Sequence, residues 1–186
     1  MRKTSIQHSR LTNTYTVESM IYGFLLDCSA RRLSVHTISD YKNTMRKFNL
    51  FIGKDKPIVD ITRFDMRAFF ANQTVSKKTV KNYFGALSVF FKFAISESII
   101  EENPLTGIKL PNPEIRAIEP VSEMDIRKLL KTIESDKSSH RNRNKAIIYL
   151  LLDTGLRVSE LCGIKRENLN LEDRTVKVFG KNSKER

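Results

Sequence analysis

The sequence has no tryptophan, only two cysteines and only three histidines. Cys28 and Cys162 show none of the spacing of a disulfide framework, which points to a reducing compartment and to two small buried residues. His8, His36 and His140 form no metal-ligand pattern and sit beside no candidate nucleophile, so they read as surface residues and neither a metal nor a catalytic thiol is expected. No apolar run approaches the roughly 20 residues that a membrane-spanning helix needs. The opening Met1-Arg2-Lys3-Thr4 lacks the apolar core of a secretory signal. The chain is therefore expected to be cytoplasmic, with no membrane partner. Acidic residues are also short, 21 against 33 lysines and arginines, leaving a net charge of +12. That excess predicts an anionic partner, with nucleic acid first and an anionic membrane surface second. The halves on either side of Asn103 are both basic, so the partner is expected to run past both.

What remains is ordinary globular material, 40% hydrophobic and 29% charged, too apolar for a disordered chain. Residues 1–14 are polar and aperiodic and read as a flexible lead-in. From Thr16, Val17, Met20, Ile21, Phe24, Leu25 and Cys28 repeat at helical spacing and predict a first helix ending at Ala30-Arg31-Arg32. Ser34 or Thr37 caps a second, with Ile38, Tyr41, Met45, Phe48 and Ile52 inward, Lys42, Arg46 and Lys47 outward, and Gly53 as its stop. Ile58-Val59-Asp60-Ile61 reads as a short extended link. Thr62 and Asp65 form a capping box for a short helix through Met66, Phe69 and Phe70. Ser76 opens a fourth helix, with Val80, Tyr83, Leu87, Phe90, Phe91, Ala94 and Ile95 inward and Lys77, Lys78 and Lys81 near its start. Asn103-Pro104 closes the segment. The expected organisation is a lead-in over 1–14, a helical domain over 15–103, a linker over 104–121 rich in proline, and a second domain over 122–186.

In the second domain Ser122 caps a helix with Ile126, Leu129, Leu130 and Ile133 inward. A polar loop from Asp136 to Asn144 leads into Ala146-Ile147-Ile148-Tyr149-Leu150-Leu151-Leu152, a run continuous enough to predict burial. Asp153-Thr154-Gly155-Leu156-Arg157-Val158-Ser159-Glu160-Leu161 follows. Gly155 stands where a helix needs a residue tolerant of positive φ. Arg157 then emerges from an apolar scaffold with five donors, and Glu160, three residues on, is placed to hold it. A guanidinium so fixed suits a phosphate. Thr175 to Phe179 alternates as a strand, with Gly180-Lys181-Asn182-Ser183 as a hairpin tip. Lys184-Glu185-Arg186 would start a returning strand that goes no further here, so Thr175 to Phe179 reads as a lone exposed edge.

These motifs together resemble the tyrosine recombinases, the family of phage integrases and Xer-type recombinases. Thr37-Ile38-Ser39-Asp40-Tyr41 and Ser76-Lys77-Lys78-Thr79-Val80 resemble its SAM-like core-binding domain, and Glu102-Asn103-Pro104-Leu105 the exit from it. The stretch from Asp153 to Leu161 resembles the box with the first catalytic arginine, and that from Gly180 to Arg186 the hairpin with the catalytic lysine. The resemblance implies a mainly α fold: a four-helix core-binding domain, then the α+β first half of a catalytic domain. It implies double-stranded DNA as partner, with Lys42, Arg46, Lys47, Lys77, Lys78 and Lys81 facing it, and neither metal nor other cofactor. In the family's reaction a tyrosine attacks a phosphodiester, forming a 3′-phosphotyrosyl bond and releasing a 5′-hydroxyl. Arg157 would stabilise charge on the non-bridging oxygens, buttressed by Glu160, and Lys181 would protonate the departing oxygen.

The sequence departs from the family in having no His-x-x-Arg box and no tyrosine after Arg157. Tyr15, Tyr22, Tyr41, Tyr83 and Tyr149 all precede it, and the last three of these fit core faces. The reading is a C-terminally truncated recombinase of a mobile element that binds DNA but does not cleave it alone. Its partner would be a full-length recombinase or a complementing C-terminal fragment. The alternative is a non-enzymatic DNA-binding module that regulates a full-length recombinase. Missing helices would leave the 146–152 run and the strand partly uncovered, and residues 1–103 are expected to resist proteolysis better than 122–186.

Overall fold

Helices in the first half of the chain begin where a hydroxyl stands ready to receive a backbone N–H. In the computed structural model, which describes residues 15–112, 117 and 119–178, Thr16 accepts from Ser19, Ser34 from Thr37, Thr62 from Asp65 and Ser76 from Thr79, at 3.1–3.2 Å. Each such cap stabilises its helix by about 1 kcal/mol. The helices they open are α1 (Val17–Ala30), α2 (Val35–Ile52), α3 (Arg63–Ala71) and α4 (Lys77–Ser96). Gly53, at φ 97, ends α2 in a conformation that side-chain-bearing residues resist. The Thr62 box is complete, because the Asp65 carboxylate accepts the Thr62 N–H at 2.8 Å.

Ile58 to Ile61 corrects the extended link expected there: Ile58–Asp60 is a 3-10 turn. Ile58 and Ile61 are both buried, and residues three apart share a side of a 3-10 helix but lie on opposite faces of a strand. Before this turn Thr16 pairs antiparallel with Pro57, and Lys56 reaches Asp65 at 3.0 Å. Partial burial opposes ionisation of Asp65. The Thr62 N–H, the Lys56 ammonium and the Thr62 hydroxyl outweigh it and hold the carboxyl below its ordinary range.

Phenylalanines from all four helices form the core. Phe48 of α2 meets Phe69 of α3 at 5.6 Å and Phe91 of α4 at 5.9 Å, both edge to face, and Phe24 of α1 meets Phe90 at 5.6 Å. Cys28 is buried among them, and burial pushes its thiol pKa up, away from reactivity. Tyr83 is buried as expected. Beyond α4, the Asn103 side chain accepts the Leu105 N–H at 2.9 Å, and Leu105 is buried in the same core.

The chain divides between residues 116 and 117 into two compact units, and the second is built differently. It holds α5 (Glu123–Ser135), α6 (Arg141–Thr154), α7 (Val158–Cys162), and the antiparallel pair β1 (Leu169–Asn170) and β2 (Thr175–Val176). Ser122 caps α5 as expected, accepting the Asp125 N–H at 3.1 Å. Several sequence expectations need correction here. The 146–152 run is helical but not buried: no residue of α6 is, and Tyr149 and Leu152 are 44% and 48% exposed. Leu129, expected inward, is also exposed, as is Cys162. Helices α5 and α6 pack on each other, and one helix–helix seam covers only one stripe of each.

Helix α6 also starts at Arg141, inside the stretch read as a loop. The strand at Thr175–Val176 is not partnerless: Leu169 pairs with Val176 and Asn170 with Thr175. Asn170 makes the turn between them, its side-chain oxygen accepting the N–H groups of Glu172 and Asp173 at 3.0 Å. Phe179 lies outside the described residues.

This contrast in burial carries the expected difference in resistance to proteolysis. Limited digestion of the whole chain should cut first within 122–178 and leave a fragment over about 15–110. Equal survival of the two parts would contradict the account of the core.

Candidate functional site

Three places carry the residues that the sequence singles out. The first is the junction of α6 and α7. Gly155 ends α6 in the left-handed conformation, φ 63, donating its N–H to Leu151 at 3.0 Å. That turn places Arg157 at the N-cap of α7 and Glu160 at its third position. The Glu160 carboxylate accepts the Arg157 backbone N–H at 2.9 Å and its Nη1 at 2.8 Å. The two side chains differ sharply in environment: Glu160 is 4% exposed and Arg157 is 71% exposed. An ordinary surface pair leaves both partners in water and both free to move. Here the carboxylate is fixed and sunk, and it grips the arginine at main chain and side chain together, leaving the rest of the guanidinium turned outward. This arrangement offers an anion charged donors whose direction is already set.

The second place is the loop after β2. Lys177 N–H donates to the Asn168 carbonyl at 2.9 Å, continuing the ladder past Val176, and Val178 is buried. Lys181, the other residue expected at the site, lies outside the described residues.

The third is the first unit's basic surface. Lys42, Arg46 and Lys47 on α2, and Lys77, Lys78 and Lys81 on the first turns of α4, are all exposed. The Lys47 ammonium lies 5.6 Å from the Tyr83 ring centroid, and Lys47 shares a shallow cleft with Asn72 and Val75, just before the Ser76 cap. The fold thus brings the α2 cations beside the start of α4. Helices α1, α3 and α5 carry acidic residues in their first turns, whereas α2 and α4 carry none. Cations at a helix N-terminus oppose the macrodipole, at a cost of about 0.3–1 kcal/mol each. Lys77 and Lys78 are therefore not placed for the benefit of their own helix, and their positive field adds to the dipole's for an incoming anion.

The sequence reading missed a further basic helix start. Arg141 and Arg143 are exposed in the first turn of α6, again without an acidic residue. The signal was the alternation Arg141-Asn142-Arg143-Asn144-Lys145. It read as loop because His140, the cap residue, makes no side-chain capping bond. Lys145, by contrast, is engaged with Glu134 at 3.4 Å and lies 5.8 Å from the Tyr149 ring centroid. Among the described residues no group of three His, Cys, Asp or Glu is placed to hold a metal ion, and no helix is long and apolar enough to cross a membrane.

Comparison with known proteins agrees with this architecture. A model of the phage integrase N-terminal SAM-like domain matches residues 20–101, and the phage integrase family model matches residues 120–186. Tyrosine recombinase XerC of Bacillus pumilus is 31% identical over 161 residues, covering 84% of this chain and 52% of the relative. The chain spans about half the length of the curated relatives it matches. In fold it is similar to a lambda integrase dimer bound to a COC′ core site (TM-score 0.77, 20% identity, 92% of this chain and 61% of that one). It is also similar to the Tn1549 transposon integrase in complex with a circular intermediate DNA (TM-score 0.71, 22% identity, 91% and 56%). The fold is accordingly mainly α, a SAM-like helical domain followed by part of an integrase catalytic domain. With both parts matched in order, the chain belongs to the tyrosine recombinase family of phage integrases and Xer-type recombinases.

Proposed function

We propose that these residues hold duplex DNA and supply part of the catalytic site of a site-specific tyrosine recombinase. The observation that carries this reading is the buried Glu160 fixing a solvent-facing Arg157. Such an arginine suits the non-bridging oxygens of a phosphodiester under attack, where charge accumulates as the transition state forms. Lys181 is assigned the proton donated to the departing 5′ oxygen. Lys42, Arg46, Lys47, Lys77, Lys78 and Lys81 grip the backbone and set register, and carry no sequence information of their own. Arg141 and Arg143 are candidates for further backbone contacts. The Tn1549 integrase of similar fold is seen in complex with DNA and the lambda integrase bound to a core site, which supports DNA as the partner.

No tyrosine follows Arg157 in these 186 residues. The nucleophile therefore has to come from residues beyond them or from another chain. The half-covered stripes of α5 and α6 are assigned to the helices that would accompany it. A second reading is a DNA-binding module that occupies recombination sites and modulates a full-length recombinase without chemistry of its own.

Binding of the 186-residue chain to duplex DNA should weaken steeply with salt. About six phosphate contacts give a slope of log K against log salt near −5. Replacing Lys77 and Lys78 with Gln should weaken binding evenly across sequences and flatten the slope by about 2; a slope near zero would contradict the reading.

With a nicked suicide duplex, this chain alone should form no covalent adduct. Adding a polypeptide that carries the His-x-x-Arg box and tyrosine should restore one, and Arg157→Ala should then reduce it by about 10²–10³-fold. Changed activity of a full-length recombinase on the same site, without restored chemistry, would favour the modulating module. An adduct on this chain alone would overturn both readings.

A further inference from the structure

Contacts to phosphates position a protein on DNA without reading its sequence, so site specificity needs other side chains that reach base edges. Helix α4 carries no acidic residue along its 20 residues. Lys78, Lys81, Asn82 and Gly85 recur on it at spacings of three and four, which puts them on one stripe. All four are exposed. Further along, the stripe changes character. Ser88 and Val89 are half-buried, and Lys92 lines a cleft of mixed charge with Asp27, Arg31 and Glu97. The purely basic part therefore runs from Lys78 to Gly85.

Gly85 does not serve its own helix. A glycine in a helix interior destabilises it relative to alanine. No described residue lies within 4 Å of where a Cβ would stand at Gly85, so packing among the described residues does not require the gap. At Gly23, the other glycine inside a described helix, that position lies 3.9 Å from the Phe93 ring. What Gly85 makes room for is therefore outside the chain, and the lysines beside it favour an anion. Asn82, one turn earlier, makes no side-chain hydrogen bond to a described residue. It is the neutral member of a stripe otherwise made of cations and a gap.

The major groove of duplex DNA is about 12 Å wide and takes a helix with little to spare. A side chain missing from the contact stripe lets the backbone come closer, and brings a short neighbour such as asparagine within reach of the bases. An asparagine amide presents a donor and an acceptor together, which match N7 and the N6 amino group of adenine. We propose that Asn82 is a specificity-determining residue that reads an adenine edge, and that Gly85 is the gap through which α4 approaches closely enough for it to do so. Lys78 and Lys81, with longer side chains, hold the flanking phosphates. The inference rests on the DNA reading above and adds to it the residues that carry sequence preference.

Selection by the 186-residue chain from a pool of randomised duplexes, followed by binding to one selected duplex over a salt series, tests the assignment. Asn82→Ala should lose about tenfold of the preference for A·T at one position, keep the other positions and leave the salt slope unchanged. Gly85→Ala should raise the melting temperature of the first unit by about 4 °C. The same variant should weaken binding to the selected duplex about tenfold. A glycine with only a structural role would give the first of these effects without the second. Asn82→Ala with every preference intact, or Gly85→Ala binding as the unaltered chain does, would overturn the inference while the DNA reading stands. So would binding by the unaltered chain that selects no sequence. Failure of the unaltered chain to bind any duplex would overturn both.

Discussion

Edge-to-face contact at Phe48 is the constraint on which the first unit depends. Its ring touches Phe69 of α3 and Phe91 of α4, so a single side chain sets the spacing of three helices. Such contacts contribute about 0.5–1.5 kcal/mol each beyond burial itself. Their larger consequence is geometric: with the inward faces of α2 and α4 locked together, the outward faces are fixed too. Lys47 lies beside the Ser76 loop because Phe48, the next residue, is pinned in the core. The helices that carry the basic surface are therefore fixed, and a phosphate partner would have to order only the side chains on them.

The second unit places its rigidity elsewhere. Among the described residues its buried members are few, Glu160 and Val178, and its helices leave Leu129 and Leu152 exposed. Against that loosely covered background, the turn from Gly155 to Glu160 is tied at every step by hydrogen bonds of the Gly155 N–H, the Arg157 N–H and the Arg157 guanidinium. A buried carboxylate without such partners would be costly. Glu160 thus depends on donors close by, and two of them, the Arg157 N–H and guanidinium, reach it inside one short turn.

Local chemistry made much of this legible in the sequence. Thr16, Ser34, Thr62, Ser76 and Ser122 announced their helices because a cap is decided within four residues. The phenylalanine faces of α2 and α4 followed from 3.6-residue periodicity, and the Arg157–Glu160 pair from its spacing. What escaped depends on distant neighbours. The tight turn at Ile58–Asp60 exists to bring two isoleucines to one core, the Leu169–Asn170 strand is defined by its partner, and the exposure of Tyr149, Leu152 and Cys162 reflects what packs over α6 and α7 rather than their own character. The proximity of Lys47 to the start of α4 is tertiary and left no trace in the sequence, and the start of α6 was hidden because His140 supplies no capping bond.

The central claim is that the locked outer faces of α2 and α4 are where DNA lies. Reductive methylation of the 186-residue chain, read lysine by lysine with and without a duplex, tests it most directly. The account predicts protection of Lys42, Lys47, Lys77, Lys78 and Lys81, with Lys92, on the later part of α4, and Lys128 of α5 reacting as before. Uniform reactivity at the first five, or protection centred on Lys92, would contradict it.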